Sequence, residues 1–168
     1  MNRYLVVALA AAASLALQAQ PSPSAEIKQA YNGIKNNLTK AAEKMPEDLY
    51  SFKATPDVRS FGALIAHIAD SQTRTCNAVL GEQKTGAAGS KTTKADLVAA
   101  LQDSFADCDK AFDSLTDATL TQAVKMGNRE ASKIGVLARV VVHDNEEYGY
   151  LAVYMRLKSI VPPSSEGR

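Results

Sequence analysis

Helical periodicity recurs in four separate stretches of this chain, and no stretch sustains the alternation expected of a strand. Over residues 24–45, Ile27, Tyr31, Ile34, Leu38, Ala41 and Met45 fall at steps of three and four, so they share one helix face. Ser22 or Ser24 can cap that helix, and Pro46 stops it. The second stretch, residues 60–81, opens on a capping Ser60 and closes on Gly81. Its apolar face is Phe61, Leu64, Ile65, Ile68, Cys76, Val79 and Leu80. Thr93-Lys94-Ala95-Asp96 has the capping-box pattern and starts the third stripe, Leu97, Leu101, Phe105, Cys108, Phe112 and Leu115. A fourth helix is expected over residues 132–160, ended by Val161-Pro162-Pro163.

Helices of this length are each about 30 Å long, and each has one stripe to bury. The economical solution is an all-α four-helix bundle of the up-and-down type. At 168 residues the chain holds one domain with a substantial core, expected over residues 20–168. The connection over residues 46–59 is long enough to cross a bundle end. Residues 82–92 read as an exposed loop and residues 116–131 as a turn-rich passage.

The first residues read differently. Asn2 and Arg3 precede an apolar run from Tyr4 to Leu17, and Gln18, Ala19 and Gln20 break it ahead of Pro21. This is the layout of a secretory signal peptide over residues 1–19, cleaved after Ala19. The competing reading is an uncleaved membrane anchor, but the run is short for a bilayer, and no later run has membrane length. The mature chain is therefore expected to be exported, periplasmic or extracellular, with no stable membrane insertion after cleavage.

Export changes how Cys76 and Cys108 read. In an oxidising compartment a pair spaced far from Cys-x-x-Cys is more often a disulfide than a redox or metal motif. The loop it would close is worth roughly 3–4 kcal/mol. The alternative is two buried thiols packing as small hydrophobes. Losing Arg3 with the leader leaves the 18 acidic residues matched by as many basic ones. That balance offers no basic stripe to displace counterions, so nucleic acid is not expected as a partner. A homodimer is compatible with a small bundle, but no interface signature is visible.

The fourth stripe contains an anomaly. Val136, Val140, His143, Glu147, Tyr150 or Leu151, and Tyr154 step by three and four, so His143 and Glu147 interrupt a face that should point inward. Burying an ionised Glu costs several kcal/mol unless it is paired or bound to a cation. His and Glu at i and i+4 can both reach one metal ion. His67, the one other histidine, sits at the margin of the second helix's apolar face. Two imidazoles and a carboxylate make a triad suited to a divalent transition metal such as Zn, Ni, Fe or Mn, with positions left open for water or substrate. Asp70 and Asp144 lie near enough along their helices to accept from the imidazole N–H groups. An internal salt bridge would satisfy the same burial argument.

Ser60-Phe61-Gly62-Ala63-Leu64-Ile65-Ala66-His67-Ile68-Ala69-Asp70 resembles the second-helix signature of the DinB-like family. His143-Asp144-Asn145-Glu146-Glu147-Tyr148-Gly149-Tyr150, with Tyr154-Met155-Arg156 and Ile160-Val161-Pro162-Pro163-Ser164 after it, resembles its C-terminal signature. The resemblance runs from about Ala25 to Ser165. It implies a four-helix-bundle core and a divalent metal held by three histidines. The first two fall on His67 and His143; the third falls on Glu147, where this chain departs from the pattern.

Some members of that family are transferases or isomerases that use low-molecular-weight thiols. Those thiols belong to the cytoplasm, which an exported member leaves. Fold resemblance alone does not fix the chemistry. The expectation is a metal-dependent enzyme of hydrolase type acting on a small molecule. The alternative is a non-catalytic exported binding module in which the polar trio is a buried network. Asp144 is the nearest candidate for a general base, with a supporting role beside His143 as the plainer reading. Arg156 reads as a solvated charge at the helix end, with pairing to a carboxylate at the bundle end as the alternative.

Overall fold

The periodic stretches fold as four long helices in the part of the chain described, residues 22–167 of a computed structural model. The expected signal peptide, residues 1–19, lies outside the described residues. The helices are α1 (Pro23–Lys44), α2 (Phe61–Val79), α3 (Lys94–Asp113) and α4 (Lys133–Leu157). All four begin with a hydroxyl cap: Ser22, Ser60, Thr93 and Ser132 each accept from a backbone N–H three residues on. Asp96 answers Thr93 through that residue's hydroxyl, at 2.8 Å, in place of its backbone N–H. α4 stops at Leu157, earlier than the prolines predict. Ser159 takes a left-handed φ of 60°, and the Ile160 N–H donates back to the Met155 carbonyl at 2.9 Å, which closes the helix by a Schellman-type turn.

The helices pack in a ring, α1 beside α3 and α4, and α2 beside the same two, so α1 and α2 are diagonal. Their directions correct the expected up-and-down arrangement, in which consecutive helices would alternate. Gly62 faces Leu97, Gln72 bonds Ser104 and Cys76 is joined to Cys108, so α2 and α3 run parallel. Lys94, at the start of α3, donates to the carbonyls of Glu43 and Met45 at the end of α1, so that pair is antiparallel. Tyr154 of α4 reaches the Arg59 carbonyl ahead of α2, which makes α2 and α4 antiparallel as well. The connection over residues 46–59 crosses a bundle end, as its length suggests.

The predicted stripes are the core. Leu38, Ile65, Ile68, Leu101, Leu137, Leu151 and Met155 are fully buried, each worth about 1.5–3 kcal/mol by burial. Tyr31 stacks on Phe112 with ring centroids 3.9 Å apart. The Cys76–Cys108 disulfide ties α2 to α3 with Cα atoms 4.9 Å apart, which settles the cysteine reading against free thiols. Among the described residues no helix is long and apolar enough to cross a membrane. α4 leaves Val142, Val153 and Leu157 exposed on its outer side.

One element contradicts the sequence reading. Within the passage read as turn-rich, β1 (Ala123–Met126) and β2 (Arg129–Ser132) pair antiparallel, Met126 opposite Arg129. The two residues between them are Gly127, at φ 63°, and Asn128, so the loop is a tight hairpin turn that needs glycine first. Only Val124 of the ribbon is buried, which is why no alternation marks it. The hairpin packs against α2 and α4 and covers the space between them.

Candidate metal centre

The facing stripes of the antiparallel helices α2 and α4 bring three ligand atoms to one point. His67 Nε2 and His143 Nε2 are 3.1 Å apart, and Glu147 Oε1 stands 3.5 Å from the first and 3.8 Å from the second. Donor atoms about 2.0–2.2 Å from a common ion stand roughly 2.8–3.6 Å from one another. The triangle is therefore within a few tenths of an ångström of a ligand set. His67 and His143 are half-buried and the Glu147 side chain is 7% exposed. The second carboxylate oxygen, Glu147 Oε2, is buried with no hydrogen-bond partner among the described residues. An orphaned buried carboxylate oxygen is costly, and a cation beside it removes the cost.

The electrostatics show what the trio costs without a cation. Burial pushes the Glu147 carboxyl up, against the pull of His143 and Arg59. Burial lowers His67, and Arg59 and His143 add to the effect. His143 is raised, chiefly by its contact with Asp144. A divalent charge at the centre would favour the ionised carboxylate and the neutral imidazoles, the forms that ligate.

A buried chain of polar groups lies behind His143. Asp144 is fully buried; its Oδ1 meets His143 Nδ1 at 3.4 Å, and its Oδ2 accepts from Gln72 Nε2 at 2.7 Å. Gln72 Oε1 in turn accepts from Ser104 Oγ at 2.7 Å, and Ser104 also donates to the Leu101 carbonyl. Burial raises the Asp144 carboxyl, while His143 and Gln72 pull it down. With both oxygens engaged and no exposure, Asp144 holds an imidazole by its Nδ1 and turns its Nε2 toward the centre, where it is within hydrogen-bond distance of His67 Nε2. It is not placed to act as a general base. Gln72 and Ser104 were not anticipated. Gln72 sits midway between Ile68 and Cys76 at four-residue steps, so it interrupts α2's stripe much as Glu147 interrupts that of α4.

Two other sequence expectations are corrected. Asp70 does not support His67: its oxygens accept from the Ala88 and Gly89 N–H groups at 2.7 and 3.0 Å, pinning the loop after α2. A side chain on Gly86 would collide with it. Arg156 is not merely solvated, since its Nη2 donates to Ser165 Oγ at 2.7 Å.

The trio has access on two sides. His143 and Asp144 line a cavity of about 360 Å³ under the hairpin, and His67 lines another of about 540 Å³ on the side of Arg59 and Asp70.

Against this geometry the sequence matches the DinB superfamily over residues 30–151, most of the chain and all of the site. The chain belongs to the DinB superfamily. Solved structures carry the same fold. A DinB-like protein from Bacillus cereus ATCC 10987 superposes with a TM-score of 0.68 at 17% identity, covering 82% of this chain and 93% of its own. A DinB-like protein from Bacillus subtilis gives a TM-score of 0.63 at 20% identity, covering 80% and 92%. No curated protein matches the sequence. Within this DinB-superfamily chain, the His/His/Glu cluster is compatible with a metal ion.

Proposed function

We propose that this protein is a metal-dependent enzyme of hydrolase type, with a divalent transition ion (Zn, Ni, Fe or Mn) held by His67, His143 and Glu147. One observation supports the reading above all: three ligand atoms converge at 3.1–3.8 Å while a buried Glu147 oxygen stays unpartnered. When bound, such an ion supplies Lewis acidity, which polarises a carbonyl or makes water more acidic. The chain's own residues supply the rest. Glu147 contributes the negative charge that the expected third histidine would lack. Asp144, braced by Gln72 and Ser104, orients His143. Three protein ligands leave positions open toward the flanking cavities. We infer in addition that residues 1–19 direct export and that the mature protein works in an oxidising compartment, a reading supported by the disulfide.

Protein purified without chelators should contain one metal ion per chain by elemental analysis. His143→Ala and His67→Ala should each lose it, and Glu147→Gln should bind it far more weakly. Metal-free wild-type protein whose melting temperature is indifferent to chelator and to added Zn²⁺ would instead favour a non-catalytic binding module with a buried polar network.

A further inference from the structure

The cavity of about 360 Å³ under the hairpin has a composition that the metal centre does not require. Its wall is apolar where Met126, Val136 and Val140 face it. Val136 and Val140 are buried, whereas Arg129 and Arg139, which also line the cavity, are exposed. Neither guanidinium makes an ion pair or side-chain hydrogen bond among the described residues. Glu130 also lines the cavity, so its carboxylate stands with the two guanidiniums, and its partner in the hairpin register is Lys125. At the other end are His143 and the fully buried Asp144, whose oxygens are already taken by His143 and Gln72. The exposed part of the lining thus carries two guanidiniums against one carboxylate, with apolar side chains between them and the buried Asp144.

From this polarity we infer that the cavity binds a small carboxylate-bearing molecule with an aliphatic body. The carboxylate pairs with Arg129 and Arg139 at the rim, because a guanidinium fork matches carboxylate geometry. The body lies along Met126, Val136 and Val140 and points its far end toward His143. A volume near the lower end of the range for ligand sites suits a molecule of this size. That the far end is where a substrate reacts rests on the metal-centre reading; the binding itself does not.

The test uses hexanoate as the probe, with hexanol and hexylamine as uncharged and cationic counterparts of equal body. Titration calorimetry on chelator-treated full-length mature protein separates arginine recognition from capture by an ion. Saturable hexanoate binding is expected, with none for hexylamine and at least about tenfold weaker binding for hexanol. Arg129→Gln and Arg139→Gln should each weaken hexanoate several-fold, the double variant at least about tenfold, and Arg139→Lys less than Arg139→Gln. Both arginines are exposed, so folding survives these changes, and an unaltered melting temperature in the variants verifies it. Hexanoate affinity unchanged in the double variant would overturn the inference. So would hexanol binding as tightly, or binding seen only in metal-loaded protein and lost in His143→Ala. Absent metal in wild-type protein, with hexanoate still bound, would defeat the metal reading and leave this one standing.

Discussion

Gln72 holds two other buried residues in place at once. Its amide nitrogen supplies Asp144 and its oxygen receives Ser104, so Gln72→Leu leaves the buried Asp144 Oδ2 without its donor and the Ser104 hydroxyl with the Leu101 carbonyl alone. The expected cost is about 1–3 kcal/mol in chemical denaturation. Loss of the brace behind His143 should also weaken metal binding by roughly 10–100-fold in chelator competition. A variant as stable as wild type with full metal affinity would show that the chain of polar groups supports nothing. Asp107 supports a second prediction at this scale. Burial alone would raise its carboxyl, but Lys84 at 2.6 Å, Asn77 at 2.8 Å and Lys110 hold it below the ordinary carboxylate value. A carboxyl depressed in the folded state adds stability above its unfolded value of about 3.9. That stability disappears as pH falls through the lower folded value. Asp107→Asn should therefore lower the melting temperature at neutral pH and flatten its acid decline below about pH 5. An acid limb identical to wild type would contradict the assignment.

Among the elements, the α2–α3 pair depends most on a single bond. Parallel neighbours cannot be joined by a tight turn, and the residues between them must travel back along the bundle. The Cys76–Cys108 disulfide fixes their register near the C-terminal ends of both helices. Denatured, unreduced protein should show no titratable thiol, and replacing both cysteines by alanine should cost roughly 3–4 kcal/mol of unfolding free energy. Two thiols per chain would refute the pairing. The helices were legible because each buries one stripe, and a stripe prints its period on the sequence. The hairpin was not, because a ribbon with a single buried side chain has no apolar alternation to read. The Gly127-Asn128 pair was its one local signal. Helix direction was illegible for a different reason: stripes say what is buried and are silent about which way a neighbour runs. Of the site, His143 and Glu147 were legible as polar breaks in an apolar face. Asp70 was misread, because nearness along a helix does not decide whether a carboxylate turns to an imidazole or to a loop's N–H groups.

At the scale of the whole molecule, the bundle brings residues from two helices and a covering ribbon around one buried carboxylate. α2 contributes one imidazole and Gln72 of the polar brace, α4 contributes the other two proposed ligands, and the hairpin closes a cavity against His143 and Asp144. Burial makes Glu147 expensive to keep, and a cation shared with the two imidazoles would remove that cost. The most direct test is a crystal structure of metal-loaded protein with anomalous data collected at that metal's absorption edge. A single anomalous peak should lie about 2.0–2.2 Å from His67 Nε2, His143 Nε2 and a Glu147 oxygen together. No peak there, or one bound elsewhere while the two imidazoles bond each other directly, would contradict the account.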